Sequence, residues 1–145
     1  MESRYGTHTG YAISRDIVGE LKAAADESRL RILCLLWEAE DLCSCEIERI
    51  LELKQSNASR HLYRLRTAGL VTSYRSAQWT HYLIAEQHRE PSGLVGHIVR
   101  TARAEPGSPY MRDAARFRDY RDRGFSCTTI HKWVPVEVHA DRRSD

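Results

Sequence analysis

The chain carries the stretch QSNASRHLYRLRTAGLV at residues 55–71, and this stretch decides the fold. The segment from about Gln55 to Ala68 has the period of an amphipathic helix, and Gly69 supplies a C-terminal stop. One stripe of this helix is apolar and is formed by Ala58, Leu62 and Leu65. The opposite face is small, polar or basic and comprises Ser56, Asn57, Ser59, Arg60, Tyr63 and Arg64. The stretch therefore predicts a helix that packs on one side and presents polar and guanidinium groups on the other.

The sequence on both sides of this helix completes a winged helix-turn-helix. A shorter helix is expected to begin near Ser44, a plausible N-cap, and Leu53-Lys54 forms a short connection to the next helix. Residues 70–75 and 79–84 are rich in aromatic and β-branched side chains, with Ser76-Ala77-Gln78 between them. That pattern predicts a β-hairpin, or wing. The expected fold class is mainly α with a β-hairpin wing.

Helical periodicity also appears in four other segments, at residues 14–25, 27–38, 93–104 and 110–123. The first has Ser14 as a plausible N-cap and a stripe formed by Ile17, Val18, Leu21 and Ala25. The second is apolar over most of its girth, which predicts a central buried helix. We expect a flexible arm (1–13), a winged helix-turn-helix and dimerisation core (14–106), and a C-terminal helix and tail (107–145).

Composition narrows the class of protein. The chain has 145 residues, 41% hydrophobic and 29% charged, with a net charge of +2, which is ordinary for a globular protein. No apolar run approaches the roughly 20 residues that cross a bilayer, and the first residues do not have the pattern of a secretory signal. We therefore expect a cytoplasmic protein without a membrane partner, in which the four cysteines are reduced. No nucleophile–base pair, glycine-rich phosphate loop or paired catalytic carboxylates is evident, so we do not expect an enzyme.

The polar face of the 55–68 helix is suited to double-stranded DNA. Small polar groups allow a close approach, and guanidinium groups bind phosphates or guanine edges. His61 lies about 60° from the apolar stripe, so partial burial is expected there. The DNA contacts are predicted to come from Gln55, Ser56, Asn57, Ser59, Arg60, His61 and Arg64, and from Arg75 and Gln78 of the wing.

Three stretches together resemble the ArsR/SmtB family of bacterial metalloregulators. They are LKAAADESRLRIL at 21–33, DLCSCEI at 41–47 and the run at 55–71, within a resemblance that covers about residues 17–86. The resemblance implies a homodimer that represses a detoxification operon and leaves DNA when an ion binds. It also implies that the first and last helices build the dimer interface. Such a dimer would bind a pseudo-palindromic operator, with its recognition helices one DNA turn apart.

Two cysteines, Cys43 and Cys45, lie at the front of the helix-turn-helix. Residues i and i+2 point to nearly opposite sides of an α-helix, so both thiols can hold one ion only if Cys43 precedes the helix or if the first turn of the helix opens. With Ser44 as the cap, Cys43 would lie outside the helix and Cys45 at its first position. The helix N-terminus is expected to lower a thiol pKa. The resemblance adds that this cysteine pattern is the family's thiol-sensing signature.

The third ligand is open. In arsenite-sensing members of the family a further cysteine commonly follows the pair, but Glu48 occupies that position here. Cys127 is our choice, from its own chain or a dimer partner, because it lies outside any strong apolar pattern; the alternative is that it is an incidental thiol of the tail. Cys34 falls on the inner stripe of the second helix and is expected to belong to the core.

Three kinds of sensor remain as hypotheses. Three sulfurs suit trivalent arsenic or antimony, whereas mixed ligands suit zinc, cadmium or lead, with His8 or acidic groups completing such a site. A thiol redox switch would instead pair Cys43 or Cys45 with Cys127 under oxidation. The choice among these ions and switches depends on Cys127.

Overall fold

A computed structural model describes residues 15–136 of the chain. The predicted arm at 1–13, the predicted cap Ser14, His8 and residues 137–145 lie outside the described residues. The helices and strands, in chain order, are α1 (Ile17–Ala24), α2 (Glu27–Ala39), β1 (Leu42–Cys43), α3 (Ser44–Leu51), α4 (Gln55–Thr67), β2 (Val71–Ser76), β3 (Trp79–Ile84), α5 (Leu94–Arg103) and α6 (Pro109–Asp122). Short 3-10 turns occupy Glu86–His88 and Ile130–Lys132. The predicted fold class, mainly α with a β-hairpin wing, is confirmed.

Helix ends follow local capping. Helix α1 begins at Ile17, later than predicted, because the Asp16 carboxylate accepts a hydrogen bond from the backbone N–H of Gly19 at 3.0 Å. Helix α4 stops where predicted, since Gly69 has a φ of 80°, a conformation that glycine adopts without strain. Sequence periodicity therefore located these helices well, whereas the predicted start of α1 was wrong.

The predicted hairpin, β2 and β3, forms the wing, and a further strand extends its sheet. Strand β1 pairs antiparallel with β3, so the three-stranded sheet has the order β1-β3-β2. Within that pairing Cys43 lies opposite His81. The turn between β2 and β3 is the two-residue segment Ala77-Gln78, in which Ala77 has a φ of 55°. A strand of only two residues has too little alternation to be recognised from sequence.

Helix α2 is the centre of the core, as predicted. Its residues Ile32–Leu36 are all buried, and Cys34 is among them. By contrast, the apolar stripe of α1 is exposed within one chain: Ile17, Val18 and Leu21 retain 47%, 55% and 46% of their surface. An exposed apolar helix face of this kind is shielded from water only when another surface covers it.

The segment after α5 packs into the same core. Arg31 of α2 makes a bidentate ion pair with buried Asp113 of α6, at 2.7 and 2.9 Å, and also donates to the carbonyl of Leu51 at 2.8 Å. Trp133 is completely buried against Tyr120 and lies under the guanidinium of Arg116. Residues 109–133 therefore support the helix-turn-helix directly. Among residues 15–136, every helix is too short or too polar to span a bilayer.

Replacing Trp133 by alanine is expected to lower the free energy of unfolding by about 3–5 kcal/mol, because a large buried ring is lost and a cavity remains. Urea denaturation of the full chain measures the change. Val134→Ala is the matched control, since Val134 is 68% exposed and should shift the free energy by no more than about 0.5 kcal/mol. Equal stabilities of Trp133→Ala and the wild type would show that the C-terminal segment does not stabilise the core.

Candidate functional site

The N-terminus of α3 is organised around a cysteine cap. Cys43 is the N-cap residue, with an extended backbone (φ −79°, ψ 162°), and Ser44 is the first helical residue. Glu46 closes a capping box: its Oε1 accepts a hydrogen bond from the backbone N–H of Cys43 at 2.9 Å. The predicted cap was Ser44, one residue too late, so Cys45 occupies the second helical position rather than the first. A reciprocal contact with Glu46 gives Cys43 the role that serine usually has.

This geometry brings the two thiols together. The Sγ atoms of Cys43 and Cys45 lie 2.7 Å apart, and both cysteines are free. They converge because Cys43 precedes the helix, which confirms the geometric condition derived from their i, i+2 spacing. The pair can chelate one soft ion without opening the first turn of α3. Its role as a ligand pair stays a prediction.

Burial controls the protonation of these thiols. Cys43 is fully buried, and burial followed by the hydrogen bond with Cys45 raises its pKa far above the usual range. The pKa of half-buried Cys45 is also raised, again mainly by burial. The expectation that the helix N-terminus lowers a thiol pKa here was therefore wrong, because desolvation outweighs the helix dipole. Both thiols are protonated at neutral pH.

A buried hydrogen bond connects this cap to the C-terminal segment. The hydroxyl of Tyr120, on α6, donates to Oε2 of Glu46, the oxygen that Cys43 does not use. The Tyr120 ring stacks on Phe125 at 6.1 Å and meets Trp133 edge-on at 5.5 Å. Burial and the bond to Glu46 raise the pKa of Tyr120 well above its usual value, which keeps its hydroxyl a donor. No local sequence pattern indicates this contact, because the partners are 74 residues apart.

Cys127 is a free cysteine that is not joined to the cysteine pair. It is half-buried in the turn between α6 and Ile130, where Thr129 N–H donates to the Ser126 carbonyl at 2.9 Å. The two ends of this turn contact the region of the pair, because Phe125 stacks on Tyr120 and Ile130 lines a cavity together with Cys45. Within residues 15–136 no three His, Cys, Asp or Glu side chains already form a metal-binding cluster. The third ligand therefore stays a prediction.

An open cavity of about 300 Å³ gives access to this region. It lies between α3 and the 3-10 turn at Ile130–Lys132, and it is lined by Cys45, Glu48, Arg49, Leu53, Ile130 and His131. Burial raises the pKa of Glu48. Because Cys45 lines this open cavity, a small ion or oxyacid can reach its thiol from solvent. Cys43 is fully buried and does not line the cavity.

The predicted DNA-binding face is exposed. Exposed positions on α4 and the wing include Gln55, Ser56, Asn57, Ser59, Arg60, Arg64, Arg75 and Gln78. His61 differs: it is buried, with its Nδ1 3.3 Å from Nη1 of Arg29 and 3.9 Å from Asp26, and burial lowers its pKa. The structure thus places His61 against the α1–α2 connection. DNA contact by any of these residues stays a prediction.

The strand that carries Cys43 is also attached to the wing. Asp41, two residues before Cys43, accepts a hydrogen bond from the Tyr74 hydroxyl at 2.5 Å and lies 2.8 Å from Nδ1 of His81. The Tyr74 and His81 rings stack at 4.9 Å. Strand β1 thus links Cys43 to the wing, and α3, which packs on α4, links it to that helix. Neither polar contact was foreseen from the sequence.

Comparison with known proteins finds a family model and curated relatives that are all described as regulators or repressors. A family model described as bacterial regulatory protein, arsR family, matches residues 26–73. The chain is 39% identical over 77 residues to the arsenic resistance transcriptional regulator ArsR1 of Pseudomonas putida, covering 53% of this chain and 59% of that one. It is 34% identical over 76 residues to the arsenical resistance operon repressor of Bacillus subtilis, covering 52% and 70% of the two chains.

A solved structure is similar as well. HlyU from Vibrio cholerae aligns with a TM-score of 0.52 at 36% identity, over 61% of this chain and 89% of that chain. The chain spans 55–59% of the length of the first curated relatives that it matches. Helix α6 and the turn that carries Cys127 lie C-terminal to the residues that the family model matches.

Iodoacetamide at pH 7.5 is expected to modify Cys45 and Cys127 before Cys34 and Cys43. The first two are partly exposed, whereas the last two are buried, and burial raises the pKa of Cys34 to about 11. Because thiolate is the reactive form and the pKa of Cys45 is raised, the rate at Cys45 should keep rising as the pH increases above neutrality. Peptide mass spectrometry measures each rate, with urea-unfolded protein as the control. Equal rates at Cys43 and Cys45 in the folded protein would refute this order.

Proposed function

The chain belongs to the ArsR family of bacterial regulatory proteins, and we propose that it is a DNA-binding transcriptional repressor that trivalent arsenic or antimony releases from its operator. The observation that carries the proposal is the pair of thiols, Cys43 and Cys45, 2.7 Å apart at the start of the helix-turn-helix. An ion held there touches the first helix of the DNA-binding unit and the strand attached to the wing.

The protonation of the thiols supports a trivalent ion. Arsenite is a neutral trihydroxide at neutral pH, and each protonated thiol that replaces a hydroxide releases one water, so three thiols give a neutral tris-thiolate. Zinc, cadmium and lead bind thiolates and must release the thiol protons. Burial raises the pKa of both Cys43 and Cys45, which penalises the divalent ions but not the exchange with arsenite.

Cys127 is proposed as the third sulfur. The turn that holds it contacts Tyr120 through Phe125 and shares a cavity with Cys45 through Ile130, and a shift of this turn would bring the Cys127 thiol onto an ion at the pair. Trivalent arsenic takes three soft ligands, and the position where the family often has its third cysteine is occupied by Glu48. Cys127 of a dimer partner would give the same set of three sulfur ligands. A redox switch has less support, because the raised pKa values leave little of the thiolate that an oxidant attacks.

DNA binding is proposed to use a homodimer. The exposed apolar stripe of α1, formed by Ile17, Val18 and Leu21, is suited to a second copy of the chain. Two recognition helices α4 would then read half-sites one DNA turn apart, with Arg75 and Gln78 of each wing beside them. Ion binding would shift the N-terminus of α3 and strand β1 together, and this shift would weaken the half-site fit.

Arsenite is expected to lower the operator affinity of the wild type by about 5–150-fold, the usual range for coupled sites. Fluorescence anisotropy with a duplex selected from a random pool by the ion-free protein measures this change. In Cys127→Ser the loss should be smaller, whereas Cys34→Ala is the matched control, because it removes a thiol of the core.

Other inducers discriminate the alternatives in the same assay. Release by cadmium that Cys127→Ser leaves unchanged would favour a divalent-metal sensor. Release by peroxide that a reductant reverses would favour a redox switch. Operator affinity that no ion or oxidant changes would rule out a sensory repressor.

Arg60→Ala is expected to weaken operator binding by about 1–3 kcal/mol, because an exposed guanidinium on α4 is lost from the predicted interface. Arg112→Ala is the control: it removes the same charge from an exposed position on α6. The anisotropy assay without ion measures both. Equal losses in the two variants would mean that the effect comes from net charge rather than from the face of α4.

A further inference from the structure

Tyr120 contacts both sides of the proposed ion site. Its hydroxyl donates to Oε2 of Glu46, whose other oxygen accepts from the Cys43 backbone N–H at 2.9 Å. Its backbone carbonyl accepts from the N–H of Phe125 at 3.3 Å, and its ring stacks on the Phe125 ring. Phe125 is two residues before Cys127. One side chain therefore joins the cap of α3 to the turn that holds the distant thiol.

We propose that Tyr120 is a positioning residue for ion binding: through its bond to Glu46 it keeps the 124–129 turn against α3, from where a shift of the turn closes Cys127 on the Cys43–Cys45 pair. This inference rests on the proposed function. Tyr120 does not itself coordinate the ion. It acts by restricting the turn, so that less conformational freedom is lost when the third sulfur binds.

Further contacts hold the chain after Cys127 against α3 and α6. Nη2 of Arg49, on α3, donates to the Trp133 carbonyl at 2.8 Å, and Trp133 Nε1 donates to Asp119 at 3.0 Å. The turn is thus attached at both ends, by Tyr120 before Cys127 and by Trp133 after it. Of these attachments, only the Tyr120 hydroxyl reaches the residue that caps the cysteine pair. Its removal should therefore loosen the relation between Cys127 and the pair while the Trp133 contacts remain.

A double-mutant cycle tests this role. The dissociation constant for sodium arsenite is measured on the full-length protein by isothermal titration calorimetry for the wild type, Tyr120→Phe, Cys127→Ser and the double variant. Tyr120→Phe keeps the ring and should weaken arsenite binding by about tenfold, the usual lower effect of a residue that orients a ligand. Because Tyr120 acts through Cys127, the same change should have no further effect in the Cys127→Ser background.

Tyr110→Phe is the matched control, since it removes a hydroxyl at the opposite end of α6 and should leave the arsenite constant unchanged. Should Tyr120→Phe fail to fold, Glu46→Gln carries the same cycle: the amide oxygen can still cap Cys43, but the charged acceptor of Tyr120 is lost.

The outcomes separate this inference from the proposed function. Weaker binding in both single variants without additivity supports the inference. Weaker binding in Cys127→Ser alone, or additive losses in the double variant, overturns the role of Tyr120 and leaves Cys127 as a ligand. Unchanged binding in Cys127→Ser overturns both the inference and the proposed third sulfur.

Discussion

The buried carboxylate of Glu46 is the group on which the rest of this architecture depends. A buried carboxylate is stable only when its oxygens are hydrogen-bonded, and here one accepts from the Cys43 backbone and the other from Tyr120. The first bond fixes where α3 begins and so turns the Cys43 thiol toward Cys45. The second attaches α6 and the turn after it to that point. The helix start, the thiol pair and the C-terminal segment are therefore one structural unit.

The cysteine pair lies close in the fold to the elements that are predicted to contact DNA. Cys43 ends β1, whose partner strand β3 forms half of the wing, and it also caps α3, which precedes the recognition helix α4. Asp41, the residue before β1, contacts Tyr74 and His81 of the wing. Arg66 of α4 reaches Ser73 of β2 at 3.3 Å, so the recognition helix and the wing are also connected to each other. Under the proposed function, an ion at the thiols would bias both of the elements predicted to contact DNA without a long relay through the core.

Local patterns predicted much of the fold, and non-local contacts account for what they missed. The period of Ala58, Leu62 and Leu65 located α4. The i, i+2 spacing of the cysteines left two arrangements, Cys43 before the helix or an opened first turn, and the structure has the first. Strand β1 escaped because two residues carry no period, and the Glu46–Tyr120 bond escaped because its partners are far apart in sequence. The predicted direction of the thiol pKa shift was wrong for the same reason. The helix end is visible in the sequence, but the burial that outweighs its effect on the pKa is created by tertiary packing.

The number of sulfurs around the bound ion tests the central claim most directly. X-ray absorption at the arsenic edge, on wild-type protein loaded with one equivalent of arsenite, counts the atoms bonded to arsenic. Three sulfurs and no oxygen are expected if Cys43, Cys45 and Cys127 close on the ion. Two sulfurs with one oxygen, or no sulfur, would contradict a site completed by the C-terminal turn.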